Sequence, residues 1–176
     1  MASKLAALAG LLRPKQWVKN TFVCAGVLFG AQLHNALLVR AMLLSVVAFS
    51  LMGSSVYVIN DYMDRESDSK HPLKRRRPLA SGAVSPAQAF CAAALCAGLS
   101  VAAAWFADAR VLAIVLVYFA INIAYSLSLK YQAVTDVFCI ASGFMLRILA
   151  GTWGIRIAPS GWLLLTGMFI RSAVSA

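Results

Sequence analysis

Acidic side chains are scarce in this chain: six Asp and Glu stand against sixteen Lys and Arg, and histidine occurs twice. Charged residues of both signs make up 12% of the 176 residues, against a hydrophobic share of 61% and a mean hydropathy of +0.79. An ordinary water-soluble domain carries about 25% charged residues, so this composition speaks against one and indicates an integral membrane protein. Cys24, Cys91, Cys96 and Cys139 all lie inside apolar runs, without Cys-x-x-Cys spacing or neighbouring histidines. Neither a zinc site nor a disulfide framework is indicated, and the four read as small apolar packing residues. A net charge of +10 would suit nucleic acid, but the cations are separated by long apolar segments instead of forming a basic face with aromatics. Nucleic acid is therefore not an expected partner, whereas anionic lipid headgroups and phosphorylated substrates are.

The few acids are concentrated. Asp61, Asp64, Glu66 and Asp68 stand together, directly after a hydrophobic run. If that run continues as a helix, Asp61, Asp64 and Asp68 fall at i, i+3 and i+7, which puts three carboxylates on one face with Asn60 beside them. Such oxygens suit Mg²⁺, which is held by one or two carboxylates while substrate phosphates and water complete its octahedron. Lys74, Arg75, Arg76 and Arg77 follow. Arginine meets phosphate oxygens bidentately and lysine meets them as a point charge. Alone, that basic run equals the solvated cytoplasmic loop of any membrane protein. Beside the acidic face, it suggests a metal-bridged pyrophosphate.

Apolar runs define the architecture: an all-α polytopic transmembrane bundle of five spans and a partial sixth. The spans are expected at about 17–33, 36–59, 87–107, 111–129 and 134–153, with the short run 162–170 as the sixth. A spanning helix needs about 20 predominantly apolar residues, which the last run lacks. Residues 1–20 read as an interfacial helix and anchor that is not removed as a secretory signal, with Trp17 at headgroup level and Lys4, Arg13, Lys15 and Lys19 facing an anionic leaflet. Ser85 and Pro86 make a plausible cap and first residue for the third span.

Counting cations fixes an expected orientation. With a cytoplasmic amino terminus, the inner side holds Lys4, Arg13, Lys15, Lys19, Arg65, Lys70, Lys74 to Arg77, Lys130 and Arg171, whereas the outer turns hold Arg40, Arg110 and Arg156. Asp136 and Arg147 lie inside the fifth span. An ionisable residue at the centre of a span costs roughly 2.5–3.5 kcal/mol on insertion scales, so it usually faces the bundle interior with a partner. For Arg147, snorkelling to the outer surface and a cavity role are both open.

These residues resemble a known family. Asn60-Asp61-x-x-Asp64-x-x-x-Asp68 is similar to the first aspartate-rich motif of the UbiA-type intramembrane prenyltransferases. Arg13-Pro14-Lys15-Gln16-Trp17-Val18-Lys19-Asn20, the stretch KRRRPLASG at 74–82, and Tyr125-Ser126-Leu127-Ser128-Leu129-Lys130 extend the likeness. Within that superfamily, HPLKRRRP and the series Lys130, Asp136, Arg147 look most like the decaprenyl-phosphate phosphoribosyltransferases. The resemblance implies transfer of phosphoribose from phosphoribosyl pyrophosphate to a polyprenyl phosphate, dependent on Mg²⁺, at the cytoplasmic face of the inner membrane. Related bacteria use such a product in cell-wall biosynthesis. The rival it leaves open is movement of a polyprenyl group from its diphosphate to an aromatic acceptor, and a third reading is an inactive membrane binding protein.

By that resemblance Asp61, Asp64 and Asp68 are the expected metal ligands, and Asp61, Asp64, Lys130 and Asp136 the expected catalytic residues. Lys19, Asn20, Asn60, Lys74, Arg75, Arg77, Tyr125 and Arg147 are the expected substrate contacts. Residues 1–176 are expected to form one UbiA-like membrane domain, with 60–86 as its cytoplasmic active-site loop. Such enzymes have about nine spans and a second aspartate-rich loop, yet no acid follows Asp136. The domain is therefore expected to be incomplete, as a shortened gene product or fragment.

Overall fold

The computed structural model describes residues 4–127, 133–159 and 161. Every regular element among them is helical. The order is α1 (Lys4–Leu12), a 3₁₀ segment (Pro14–Cys24), α2 (Ala25–Phe29), α3 (Ala36–Met63), α4 (Arg65–Lys70), α5 (Pro86–Ala107), α6 (Ala109–Leu127) and α7 (Ala133–Ala150). By length and composition, α3, α5 and α6 are apolar enough to cross a membrane. The expected partial sixth span lies outside the described residues.

α3 is the axis against which α1, the 3₁₀ segment, α5 and α6 pack. It starts where the Asn35 side chain accepts hydrogen bonds from the Leu37 and Leu38 amides at 3.1 and 3.3 Å, the usual action of an N-cap. α5 lies along it through a stripe of small buried residues, Ala89, Ala93, Cys96, Ser100 and Ala104. Small side chains let backbones approach where lipid offers no hydrophobic drive for helix association. The approach is close enough for the Ser100 hydroxyl to donate to the Ala48 carbonyl at 2.7 Å. Leu95, Leu99, Trp105 and Phe106 stay exposed on the rest of α5, a surface suited to acyl chains. As expected, Ser85 and Pro86 open α5, and Ser85 exchanges hydrogen bonds with Gln88 in a capping box.

Buried hydroxyls elsewhere return to their own helix. Ser45 and Ser50 each donate to the carbonyl four residues back at 2.7 Å, which satisfies them where no water is at hand. At the end of the bundle away from Asp61, Arg156 bridges to Asp108 at 2.9 Å. Burial alone would raise the Asp108 carboxyl, but hydrogen bonds from the Arg110 amide and Arg156, with their charges, hold it below the ordinary carboxylate range.

The expected first span takes a different form. In place of one helix over 17–33, the chain makes an eleven-residue 3₁₀ segment and a five-residue helix. Runs of 3₁₀ longer than 3–4 residues are uncommon, and their rise of about 2.0 Å per residue stretches this stretch to roughly 30 Å with α2 included. This stretch also packs tightly against the end of α7. Gly26 and Gly151 bring two backbones into direct contact: a Cβ on Gly26 would stand 1.9 Å from the Gly151 carbonyl oxygen, and one on Gly151 would stand 1.7 Å from that of Val23.

That crossing has a measurable signature. Gly151→Ala should lower thermal stability by about 1–3 kcal/mol or more, as overpacking against rigid backbone does. Gly98→Ala, on an α5 position where nothing lies within 4 Å, should be neutral or stabilising by up to about 1 kcal/mol. Equal effects from the two substitutions in a detergent melting assay would count against the crossing.

Candidate active site

The acidic turn grows out of the end of α3. α3 stops at Met63, Asp64 sits at the joint with φ −92° and ψ −1°, and α4 resumes at Arg65. The helical hydrogen bonds nevertheless run through the break, from the Asp64 amide to the Asn60 carbonyl at 3.0 Å and from the Asp68 amide to the Asp64 carbonyl at 2.8 Å. Asp61 and Asp68 therefore keep a common face, and both are 3% exposed. Leu11, Val58, Leu79, Val84, Ala89 and Ala93 form the apolar floor beneath this region.

Arg77 joins the two carboxylates. Its Nη1 donates to Asp61 Oδ1 at 3.2 Å and to Asp68 Oδ2 at 2.7 Å. A second guanidinium, Arg13, donates from Nη2 to the same Asp61 oxygen at 2.6 Å and lies over the Tyr57 ring at 5.1 Å. Two carboxylates and two guanidiniums make a formally neutral cluster. Arg13 reaches it from a left-handed backbone conformation, φ 51° and ψ 56°, which is uncommon for a residue with a side chain and is disfavoured further by the following Pro14. Anchoring at Leu12, whose carbonyl accepts from the Ser54 hydroxyl at 2.8 Å, holds the turn in place.

Beside the cluster opens a cavity of about 260 Å³, walled by Lys19, Tyr57, Asn60, Tyr118, Asn122, Tyr125, Cys139, Gly143, Phe144 and Arg147. Asn60 Oδ1 accepts from the Ser126 hydroxyl, which fixes the amide at the cavity edge next to Asp61. Arg147 resolves the choice left open above: it is 8% exposed and turned into the bundle. Asn20 stands behind it, accepting from Arg147 Nε at 2.7 Å and donating to Ser50 Oγ at 2.9 Å.

Of the expected substrate contacts, Lys19, Asn60, Tyr125 and Arg147 share this cavity, and Arg77 sits on the carboxylates next door. Asn20 does not line it, because both ends of its amide are used inside the packing. Lys74 and Arg75 are exposed on a short 3₁₀ turn. The expected trio of metal ligands is not assembled: among the described residues no three His, Cys, Asp or Glu side chains converge as a metal site. Asp61 and Asp68 are engaged instead by the Arg77 guanidinium, a cation of the protein's own. The donor chemistry itself suits a hard cation, since carboxylate oxygens already gathered around a positive group need a change of cation, not a new fold. Lys130 and the Asp136 side chain lie outside the described residues; Asp136 itself belongs to the first turn of α7. Sequence reasoning gave no site role to Arg13, Tyr57, Tyr118, Asn122 or Ser126. The one available signal was that Arg13 precedes a proline within a motif already singled out.

Residues 20–174 match the model of the UbiA prenyltransferase family. The chain is 37% identical over 169 residues to the decaprenyl-phosphate phosphoribosyltransferase of Mycolicibacterium smegmatis, covering 94% of this chain and 53% of that protein. To the protein of that name in Corynebacterium glutamicum it is 38% identical over 162 residues, covering 90% and 49%. The chain thus spans about half the length of the curated relatives it matches. A solved UbiA homologue from Archaeoglobus fulgidus, bound to GPP and Mg²⁺, superposes with a TM-score of 0.79 at 25% identity over 96% of this chain and 61% of that one.

The Arg13–Asp61 contact is testable by a double-mutant cycle. Asp61 is almost fully buried, so Asp61→Asn and Arg13→Met should each destabilise, while the pair should lose less than the sum. A coupling of roughly 1–3 kcal/mol is expected for a partly buried, charge-assisted pair. Strict additivity in urea or thermal unfolding would show that the two side chains act independently.

Proposed function

The chain belongs to the UbiA prenyltransferase family, and on that premise we propose that it transfers phosphoribose from phosphoribosyl pyrophosphate to the phosphate of a polyprenyl carrier. An oxygen of the lipid phosphate bonds to the anomeric carbon of the ribose, the bond from that carbon to pyrophosphate breaks, and the electron pair leaves with pyrophosphate. The observation that carries this reading is the neutral carboxylate–guanidinium cluster of Asp61, Asp68, Arg13 and Arg77 at the edge of a cavity with polar walls. Relatives named as decaprenyl-phosphate phosphoribosyltransferases supply the choice of donor and acceptor.

Asp61, Asp64 and Asp68 would hold Mg²⁺, which neutralises charge developing on the leaving pyrophosphate. Arg77 and Arg13, already at the carboxylates, would move to phosphate oxygens as the cation takes their place. Lys74 and Arg75 stand exposed beside them to receive the outer phosphates. Asn60 orients the donor at the cavity edge, and Lys130 and Asp136 would act as further catalytic residues in this reading. The amino terminus and residues 60–86 face the cytoplasm in this reading, with 1–20 in the interface and the whole chain part of one UbiA-like domain.

A second reading has support in the solved homologue bound to GPP and Mg²⁺: a polyprenyl group would leave its diphosphate for an aromatic acceptor at the same end of the cavity.

Membranes carrying the protein, incubated with labelled phosphoribosyl pyrophosphate, polyprenyl phosphate and Mg²⁺, should yield labelled lipid. Asp64→Asn or Asp61→Asn should lower the product by roughly 100-fold or more, the scale of losing one electrostatic element of a site, and chelation should abolish it until Mg²⁺ is restored. Label passing from prenyl diphosphate to hydroxybenzoate instead would establish the second reading. Metal-dependent donor binding without either product would make the protein a binding module.

A further inference from the structure

Arg147 carries more hydrogen-bonding capacity than the described residues take up. Nε donates to Asn20 Oδ1 at 2.7 Å, Nη1 to the Gly143 carbonyl at 2.6 Å and Nη2 to Tyr118 Oη at 3.2 Å. A guanidinium has five N–H donors in a fixed planar fork, the described residues take up three of them, and Arg147 lines the cavity. The rings of Phe49, Tyr118 and Phe144 lie 5.7, 5.0 and 5.8 Å from its Cζ. They cushion the cation without neutralising it. Among the described residues no carboxylate pairs with Arg147, while Asp61 and Asp68 are engaged by Arg13 and Arg77.

A second cation faces the same space. Lys19, on the 3₁₀ segment, lines the cavity and is close enough to Arg147 for their charges to repel. Burying an uncompensated charge is costly, and two like charges on one cavity raise that cost. An anion between them removes both penalties. Its contacts differ from those of the acidic cluster: among the described residues Arg147 bonds to Asn20, Gly143 and Tyr118, whereas Asp61 and Asp68 bond to Arg13 and Arg77.

We propose that Arg147 and Lys19 form a phosphate-monoester subsite in the cavity beside the acidic cluster. The proposal rests on the phosphoribosyl reading above, because it identifies the anion. Phosphoribosyl pyrophosphate bears a monoester on the ribose carbon opposite its pyrophosphate, and a polyprenyl phosphate ends in one. A prenyl diphosphate has a single anionic end. A metal-holding carboxylate cluster with a cationic subsite beside it therefore selects two-ended phosphoribosyl chemistry over prenyl diphosphate. Asn20 and Tyr118 act here as positioning residues, aiming the guanidinium through its Nε and Nη2.

Calorimetry on the purified protein in detergent, without divalent metal, tests this with two soluble probes: ribose 5-phosphate for the donor end and farnesyl monophosphate for the lipid phosphate. At least one should bind, and the preferred probe identifies the source of the anion. Arg147→Met should weaken that probe by roughly 10- to 100-fold, the range for losing a hydrogen bond to a charged group, with partial rescue in Arg147→Lys. Lys19→Met should weaken it about tenfold. Lys19 is exposed, so its substitution should leave the fold intact even if Arg147→Met does not fold. Binding of magnesium pyrophosphate, which depends on the acidic cluster, should be unchanged by Lys19→Met. If neither monoester binds the wild-type protein, or if Lys19→Met leaves monoester binding unaltered, the subsite is overturned. Failure of the phosphoribosyl reading shows differently, as absence of labelled lipid while monoester binding persists.

Discussion

A guanidinium withdrawn from water into an apolar bundle has to be satisfied by whatever surrounds it, and Arg147 imposes that requirement on four elements at once. Asn20 reaches it from the 3₁₀ segment, Tyr118 from α6, the Gly143 carbonyl from α7, and Phe49 from α3. The Asn20 amide then hands the connection on to Ser50, whose own proton goes to Val46. Arg147 is thereby the node through which the 3₁₀ segment and α7 are tied to the central helix. The close contact between Gly26 and Gly151 joins the same two parts of the chain that the Arg147–Asn20 hydrogen bond joins.

The other charged centre follows a different rule. Around Asp61 the charges cancel inside the protein, two acids against two arginines, so the resting state costs little beyond desolvation. Around Arg147 and Lys19 no carboxylate among the described residues cancels the charge, so the two charged centres differ in how they are balanced.

Much of this was legible in the sequence. The apolar runs marked α3, α5 and α6 to within a few residues, because a spanning helix has to satisfy its own backbone and so leaves a long unbroken signature. Ser85 and Pro86 announced the start of α5 for equally local reasons. Asp61 and Asp68 share a face because 3.6-residue periodicity survives the joint at Asp64. What escaped were features that depend on two distant segments meeting. No local pattern distinguishes the 3₁₀ segment from a spanning helix, and the Gly151 backbone it closely approaches lies far along the chain. Nor does charge periodicity reveal that Arg77 would settle between two carboxylates, or that Arg13 would join them from a strained turn. Asn20 reads in the sequence as a substrate contact because its packing partners, Ser50 and Arg147, lie 30 and 127 residues away.

α3 is 28 residues long, and at 1.5 Å per residue it measures about 42 Å, well beyond a hydrocarbon core of about 30 Å. The excess sits at the Asp61 end, where polar side chains gather. This makes the depth of the acidic cluster a function of the lipid as well as of the protein. A thicker bilayer draws the end of the helix toward the acyl chains or makes the bundle tilt less, and a thinner one lifts it into the headgroups. The same polypeptide thus presents its charged rim at a height set by the membrane in which it is placed.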